Sequence, residues 1–346
     1  RPNIVARATD HIGEQIKLIQ KLEEKGFTYQ TLEAIYFDIS KFPDYGKLSG
    51  QKLADEKTGA RGEVVVDPNK KNPQDFALWF FVVGRFKDHV MRWSSPWGEG
   101  FPGWHIECSA MSMEYLGDTI DILTGGIDHV SIHHTNEIAQ SEAATGGQFV
   151  RFWVHHEFLQ VDGGKMSKSE KNFYTIDDVK EKGLDPLSFR YLVLTAHYRD
   201  QLNFTWESLH AAQNALDNLR DTIRDWDQPK IGCAEYEQRF TDAVNNDLNT
   251  PQALAIFWEL VKSDYPTSAK AESLLKFDQI LGLGLGDYLG KPLEVPVEVI
   301  ELVEKREQAR KSGDFERSDQ LRKEIKNLGF QVEDTPSGPK LKALSR

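Results

Sequence analysis

Apolar residues recur along this chain with changing periods, and the changes divide it into segments. Ile12, Ile16, Ile19 and Leu22 fall three or four residues apart, so one stripe of a helix is apolar and residues 1–30 read as helical. Ala34 to Ile39 is a short continuous apolar run, the pattern of a buried strand. Between Lys41 and Gly100 no period persists: glycine, proline and charge dominate, with Trp79, Trp93 and Trp97 as apolar anchors, which suits a small inserted subdomain. A helix near Cys108 to Leu116, a strand at Thr119 to Leu123 and a turn at Gly125-Gly126 follow. Beyond Thr205 the period is helical again, with Leu209, Ala212, Leu216, Leu219 and Ile223 on one face and further helices to about Gly284. Lys291-Pro292 to Val295-Pro296 is a linker into a helical hairpin turned at Ser312-Gly313-Asp314.

The chain has 346 residues, more than one core usually organises, so two or three domains are expected. Two cysteines, Cys108 and Cys233, provide no disulfide framework, and no apolar run is long enough to span a bilayer. A net charge of -12 argues mildly against a nucleic-acid partner, although local basic faces exist on acidic proteins. Arg306, Arg310, Lys311, Arg317, Arg322 and Lys323 cluster around the terminal hairpin, a pattern that from charge alone is more often an ion-paired solvated face.

Candidate chemistry concentrates in the middle of the chain. Cys108 closes the run Gly103-Trp104-His105-Ile106-Glu107-Cys108, and His133 and Glu137 follow within Ile132-His133-His134-Thr135-Asn136-Glu137. Thiolate, imidazole and carboxylate are the side chains that bind zinc, and a His four residues before a Glu shares its helix face. Taken alone, each piece is more often a small apolar residue or a solvated polar face. Further on, Asp162-Gly163-Gly164 introduces Lys165-Met166-Ser167-Lys168-Ser169, a glycine-led loop whose cations and hydroxyls suit a polyphosphate.

That pentapeptide is similar to the signature loop of class I aminoacyl-tRNA synthetases. Together with Trp104 to Cys108, Gly125-Gly126-x-Asp128 and His133-His134-x-Asn136-Glu137-Ile138-Ala139-Gln140-Ser141-Glu142, it resembles the cysteinyl-tRNA synthetases. The likeness extends to Lys71-Asn72-Pro73-x-Asp75-Phe76-x-Leu78-Trp79, His197-Tyr198-Arg199, Leu202-Asn203-Phe204, Asp247-Leu248-Asn249-Thr250-Pro251 and Glu333-Asp334-Thr335-Pro336.

The resemblance implies an α/β fold: the second half of a class I, Rossmann-like nucleotide-binding fold with an inserted subdomain, then a helical bundle and a C-terminal helical hairpin. It divides the chain into residues 1–98, the end of a first catalytic half with the insertion; 99–204, the second half; 205–290, an anticodon-stem bundle; and 291–346, a tRNA-binding subdomain. The implied activity is ligation of L-cysteine to tRNA(Cys) with ATP and Mg2+, in a monomeric cytoplasmic enzyme with no membrane partner. One zinc ion would be held by Cys108, His133 and Glu137. Trp104 would lie beside the amino acid, Gly125, Gly126 and Asp128 would hold the adenosine, Lys168 would contact ATP, and Lys165 would support the loop and the transition-state phosphates. Zinc suits the substrate, because a soft thiolate is told from its hydroxyl isostere by metal affinity where an apolar pocket discriminates poorly.

The resemblance also implies features this sequence does not contain. A fourth cysteine ligand and a His-Ile-Gly-His motif are expected in a further N-terminal segment of about a hundred residues, half a nucleotide-binding fold. His11-Ile12-Gly13-Glu14 imitates that motif but reads as the start of an ordinary helix. Phe101 stands where the family has arginine, Leu123 where it has a histidine near the adenylate, and Glu170-Lys171 where it has Leu-Gly. Two other readings are a non-catalytic tRNA-binding relative and a ligase joining cysteine to an amino sugar, the latter lacking the anticodon-binding end.

Overall fold

The computed structural model describes residues 2–50, 67–167, 169, 172–335 and 338–343. It divides into two compact units, residues 1–156 and 157–346.

In the first unit α1 (Ile12–Glu24) buries Leu18, Ile19 and Leu22, with Ile12 and Ile16 half-buried beside them. The helix is shorter than the 1–30 expected from periodicity. Gly26 at φ 78 ends it and releases the chain into β1 (Thr28–Gln30). β2 (Ala34–Phe37) is buried at all four residues because it runs between β1 and β3 (Phe76–Phe81). β4 (Trp93–Ser95) and β5 (Gly98–Pro102) complete an antiparallel sheet of order β1-β2-β3-β5-β4. Phe101, on β5, stacks on Phe80 across the strand pair and on His89 at 3.8 Å between ring centroids, so the departure at this position joins an aromatic cluster.

α2 (Trp104–Leu116) starts where Gly103 donates its N–H to the Leu78 carbonyl, and a Cβ on Gly103 would lie 2.0 Å from the Ala77 oxygen. Only glycine lets the helix begin against that strand. β6 (Ile120–Gly126) and β7 (Val150–His156) are parallel neighbours joined through α3 (Thr135–Thr145), the β-α-β crossover expected of a nucleotide-binding fold. Leu123 packs against Trp153 in a small cluster with Ile120, Phe149 and Val150. Fully buried Ile19, Leu22, Trp79 and Ile106 anchor the main core, each aliphatic one contributing about 1.5–3 kcal/mol.

The second unit opens with β8 (Leu159–Val161) and β9 (Gly164–Lys165), a hairpin turned by Asp162 and Gly163 at φ 49 and 76. After α4 (Ile176–Glu181) and α5 (Pro186–Leu194), β10 (Leu202–Phe204) pairs parallel with β8, giving the order β10-β8-β9. α6 (Trp206–Arg224), α7 (Ala234–Asn245), α8 (Thr250–Lys262) and α9 (Thr267–Leu281) form a bundle that buries the Leu209, Leu216, Leu219 and Ile223 stripe. His197-Tyr198-Arg199 grips the α7–α8 turn: Tyr198 Oη donates to Asp247 Oδ1 at 2.6 Å, Arg199 Nε to Oδ2 at 2.7 Å, and His197 Nε2 to the Asp247 carbonyl at 2.8 Å.

α10 (Val297–Lys311) and α11 (Phe315–Asn327) are the expected helical hairpin. A β hairpin of β11 (Phe330–Thr335) and β12 (Gly338–Ala343) follows, which the helical reading of this end missed. Arg306 is buried and bonded to Asp334 and Glu307, so it holds the subdomain together rather than adding to the basic face. Lys311, Arg322 and Lys323 are exposed there.

Candidate metal centre

Two adjacent helices bring Cys108, His133 and Glu137 together. Their ligand atoms lie within 4.8 Å of one another, and no other such His, Cys and carboxylate group occurs among the described residues. α2 supplies Cys108 and α3 supplies Glu137. His133 sits in a π-helical turn, Val130–His134, rather than in the regular helix its spacing predicts. The wider turn still leaves His133 Nε2 3.6 Å from Glu137 Oε1.

Buried polar contacts lock the two helices. Gln140 Nε2 donates to the His105 carbonyl and to Ser109 Oγ, both at 2.6 Å, and Ser141 Oγ donates to Ser109 Oγ at 2.9 Å. Ser109 adjoins Cys108, while Gln140 and Ser141 lie one helical turn beyond Glu137, and in sequence they show only as polar residues near the ligands. The ring nitrogens are tied as well: His133 Nδ1 faces His105 Nδ1 at 2.8 Å, and His134 Nδ1 faces His155 Nε2 at 2.8 Å. His134 Nε2 lies 4.0 Å from Glu137 Oε2, so His134 lines the centre without joining the group of three.

The electrostatics leave these groups uncharged when no ion is near. Burial, reinforced by Glu137 and Glu107, pushes the Cys108 thiol up to about 12, and burial raises Glu137 to about 8. Burial lowers His133 to about 4 and His134 and His105 to about 3, with neighbouring imidazoles adding to the effect. Glu137 Oε2 is buried without a hydrogen-bond partner. A soft sulfur, a neutral imidazole and a carboxylate with an unused oxygen are the donor set that zinc takes, and the three residues fit it.

Trp104, the first residue of α2, lies half exposed over this centre, its ring stacked on His133 at 4.3 Å and 26°. Gly125 and Gly126 stand at the carboxyl end of β6, beside His155 and His156 of β7. A Cβ on Gly125 would lie 2.5 Å from His134 Cε1, and one on Gly126 would lie 2.3 Å from Asp128 Oδ1. Gly125 is thus crowded by a buried ring and Gly126 by the end of a side chain that can turn aside, and neither has a positive φ. His129, which sequence reasoning passed over, places its ring 5.2 Å from those of His133 and His134. Trp104, the three donors, Gly125, Gly126 and Asp128 all belong to the first unit.

Lys165 ends β9 in the second unit and is exposed. Lys168, with Glu170 and Lys171, lies outside the described residues.

A profile described as "tRNA synthetases class I (C) catalytic domain" matches residues 1–214, a DALR domain matches 239–286, and a "Cysteinyl-tRNA ligase anticodon binding domain" matches 294–338. A protein of Burkholderia lata named "Cysteine--tRNA ligase 1" is 46% identical over 98% of this chain and 72% of its own length. A cysteine--tRNA ligase of Treponema denticola is 41% identical over 96% and 74%, and one of Thermus thermophilus 40% identical over 98% and 75%. Among solved structures, Mycobacterium tuberculosis methionyl-tRNA synthetase in complex with methionyl-adenylate superposes with a TM-score of 0.51 at 14% identity, covering 81% of this chain and 73% of that one, a likeness of fold.

Proposed function

Because this chain belongs to the cysteinyl-tRNA synthetase family of class I synthetases, we propose that it activates L-cysteine with ATP and charges tRNA(Cys), selecting its substrate at a zinc ion held by Cys108, His133 and Glu137. The observation that carries the zinc reading is the convergence of those three donors within 4.8 Å, together with a buried carboxylate oxygen that has no hydrogen-bond partner. A zinc ion bound there would supply a soft Lewis acid that takes a thiolate in preference to a hydroxyl.

The chain's own residues set the rest of the chemistry. Trp104, held flat against His133, walls the side of the centre on which an amino acid would lie. Asp128, its carboxylate lying against Gly126 just beyond Gly125, is suited to accept hydrogen bonds from ribose hydroxyls at the carboxyl end of a parallel strand. In the second unit, Lys165 and Lys168 are read as the cations that meet the ATP phosphates, with Mg2+ accompanying the nucleotide. The cysteine carboxylate attacks the α-phosphorus and the bond to pyrophosphate breaks. A ribose hydroxyl of the tRNA terminus then attacks the cysteinyl carbonyl and AMP leaves. Both steps depend on positioning and on fixed charge, without a covalent enzyme intermediate.

We read residues 1–98, 99–204, 205–290 and 291–346 as the insertion-bearing segment, the second catalytic half, the stem-binding bundle and the terminal tRNA-binding subdomain. We read the chain as a cytoplasmic enzyme of translation; no described helix is long and apolar enough to cross a membrane. A binding-only relative and an amino-sugar ligase are not favoured, since relatives named cysteine--tRNA ligase align over nearly the whole chain.

The test is cysteine-dependent ATP–pyrophosphate exchange by the complete protein. Exchange is expected to fall on chelation and in Cys108→Ser, and to be far slower with serine. Exchange that survives both treatments sinks the zinc reading, and equal rates with serine sink the selectivity.

A further inference from the structure

Among the described residues β9 is the outer strand of its sheet, and one row of its backbone groups meets no other described strand. Asn172 covers that edge. Its Nδ2 donates to the Lys165 carbonyl at 2.9 Å, and its Oδ1 accepts from the Ser167 N–H at 2.8 Å. In an extended chain the carbonyl of one residue and the N–H two residues on face the same side, where one residue of a neighbouring strand would satisfy both. A carboxamide carries the same donor and acceptor on a single planar group, and the two contacts fix which way round it sits. The other end of the hairpin is held by a second asparagine: Asn203 Oδ1 accepts from the Gly163 N–H at 2.8 Å, at the turn with two positive φ angles.

We propose that Asn172 is a positioning residue for cysteine activation, fixing the backbone of Lys165-Met166-Ser167 so that Lys165 is held ready for the ATP phosphates. The proposal rests on reading Lys165 as a phosphate-facing cation. Asn172 itself needs no contact with substrate. The geometry demands one donor and one acceptor, and this separates the role from that of a generic polar loop residue. An aspartate keeps the acceptor for Ser167 but turns a carboxylate oxygen on the Lys165 carbonyl, and its charge opposes the cations of the loop.

Four variants of the complete protein test this by pyrophosphate exchange: Asn172→Ala, Asn172→Asp, Lys165→Ala and the Asn172→Ala/Lys165→Ala double. Asn172→Ala is expected to lower kcat about tenfold or more, and Asn172→Asp at least as far, with KM for cysteine unchanged and Tm within about 2 °C. In the double variant, loss of Asn172 should add less than about threefold, because the group it positions is already gone. A wild-type rate in Asn172→Ala or Asn172→Asp alongside a slow Lys165→Ala overturns the positioning role and leaves the lysine reading standing. Fully multiplicative losses in the double variant also overturn it. A wild-type rate in Lys165→Ala overturns the underlying reading of the loop, and the proposal with it.

Discussion

His105 and His133 meet Nδ1 to Nδ1 at 2.8 Å, so one of the two nitrogens carries the proton and the other offers its lone pair. For His133 to present a lone pair at Nε2, the nitrogen turned toward Glu137, its proton must sit on Nδ1 and point at His105. Burial lowers His105 to about 3, which keeps its ring neutral and able to accept. His105→Ala should therefore weaken zinc binding by about 10–100-fold, while His105→Asn, whose Oδ1 also accepts, recovers most of the loss. Chelator competition on the folded variants measures this. Unchanged affinity in His105→Ala would remove the tautomer argument.

The crowding over Gly126 leads to a second expectation. An alanine Cβ there would meet only the end of the Asp128 side chain at 2.3 Å, and a carboxylate can rotate away. Stability should change by no more than about 0.5 kcal/mol, but the displaced carboxylate would raise KM for ATP about tenfold. Gly103→Ala contrasts with this, since its Cβ would meet the Ala77 carbonyl at 2.0 Å and the backbone cannot step aside. That variant should be destabilised by at least about 1–3 kcal/mol. Thermal unfolding together with ATP kinetics separates the two, and a Gly126→Ala enzyme with normal KM would argue against a ribose role for Asp128.

The convergence of Cys108, His133 and Glu137 was legible because the three donor types are chemically unusual together and two of them are four residues apart, a spacing that survived even the π turn at His133. The stripe from Leu209 to Ile223 was legible for a similar reason, a strong helical period on one continuous helix. What escaped sequence reasoning depends on partners distant in the chain. The four buried residues of β2 read as a strand, but nothing local says that β3, some forty residues on, lies beside them. The pairing of Ser109 with Gln140 and the clip of Asn172 across the lysine loop are polar contacts with no period to reveal them. β11 and β12 were missed because this end was read as a helical hairpin alone and Glu333, Asp334, Lys340 and Lys342 interrupt any apolar alternation, whereas burial of Val332 against the helices sets the strand.

Asp247 and Leu248 occupy consecutive left-handed conformations, at φ 55 and 54, where a leucine side chain is unfavourable by about 1–2 kcal/mol. The grip of Tyr198, Arg199 and His197 on Asp247 holds this turn in place. Leu248 is 50% exposed and so gives back little by burial. Leu248→Gly should therefore stabilise the protein by about 0.5–1 kcal/mol, a rise of roughly 2 °C in Tm, after the extra backbone entropy of glycine is counted. A loss of more than about 1 kcal/mol in denaturant unfolding would show that the leucine side chain, not the strain, dominates at this position.

Arg306 and Asp334 supply the pH dependence of the C-terminal subdomain. The guanidinium of Arg306, 1% exposed in its side chain, donates to both oxygens of Asp334 at 2.9 and 3.0 Å, and Arg310 adds a contact at 3.1 Å. Hydrogen bonding to Arg306 holds the Asp334 carboxyl below its usual range. An aspartate whose folded pKa lies below its unfolded value of about 3.9 stabilises fully above that value, and the contribution is lost as pH falls through the folded pKa. Asp334→Asn removes the charge at every pH and leaves Arg306 buried without its main counterion. At pH 7 it should cost about 1–3 kcal/mol, less than the 3–5 kcal/mol of a fully buried pair because Asp334 is 42% exposed. The gap between wild type and Asp334→Asn should stay constant above about pH 5 and close as the pH falls below about 4. Denaturant unfolding across that range measures it, and a gap that persists undiminished to pH 2 would show that Asp334 acts through hydrogen-bond geometry and not through charge.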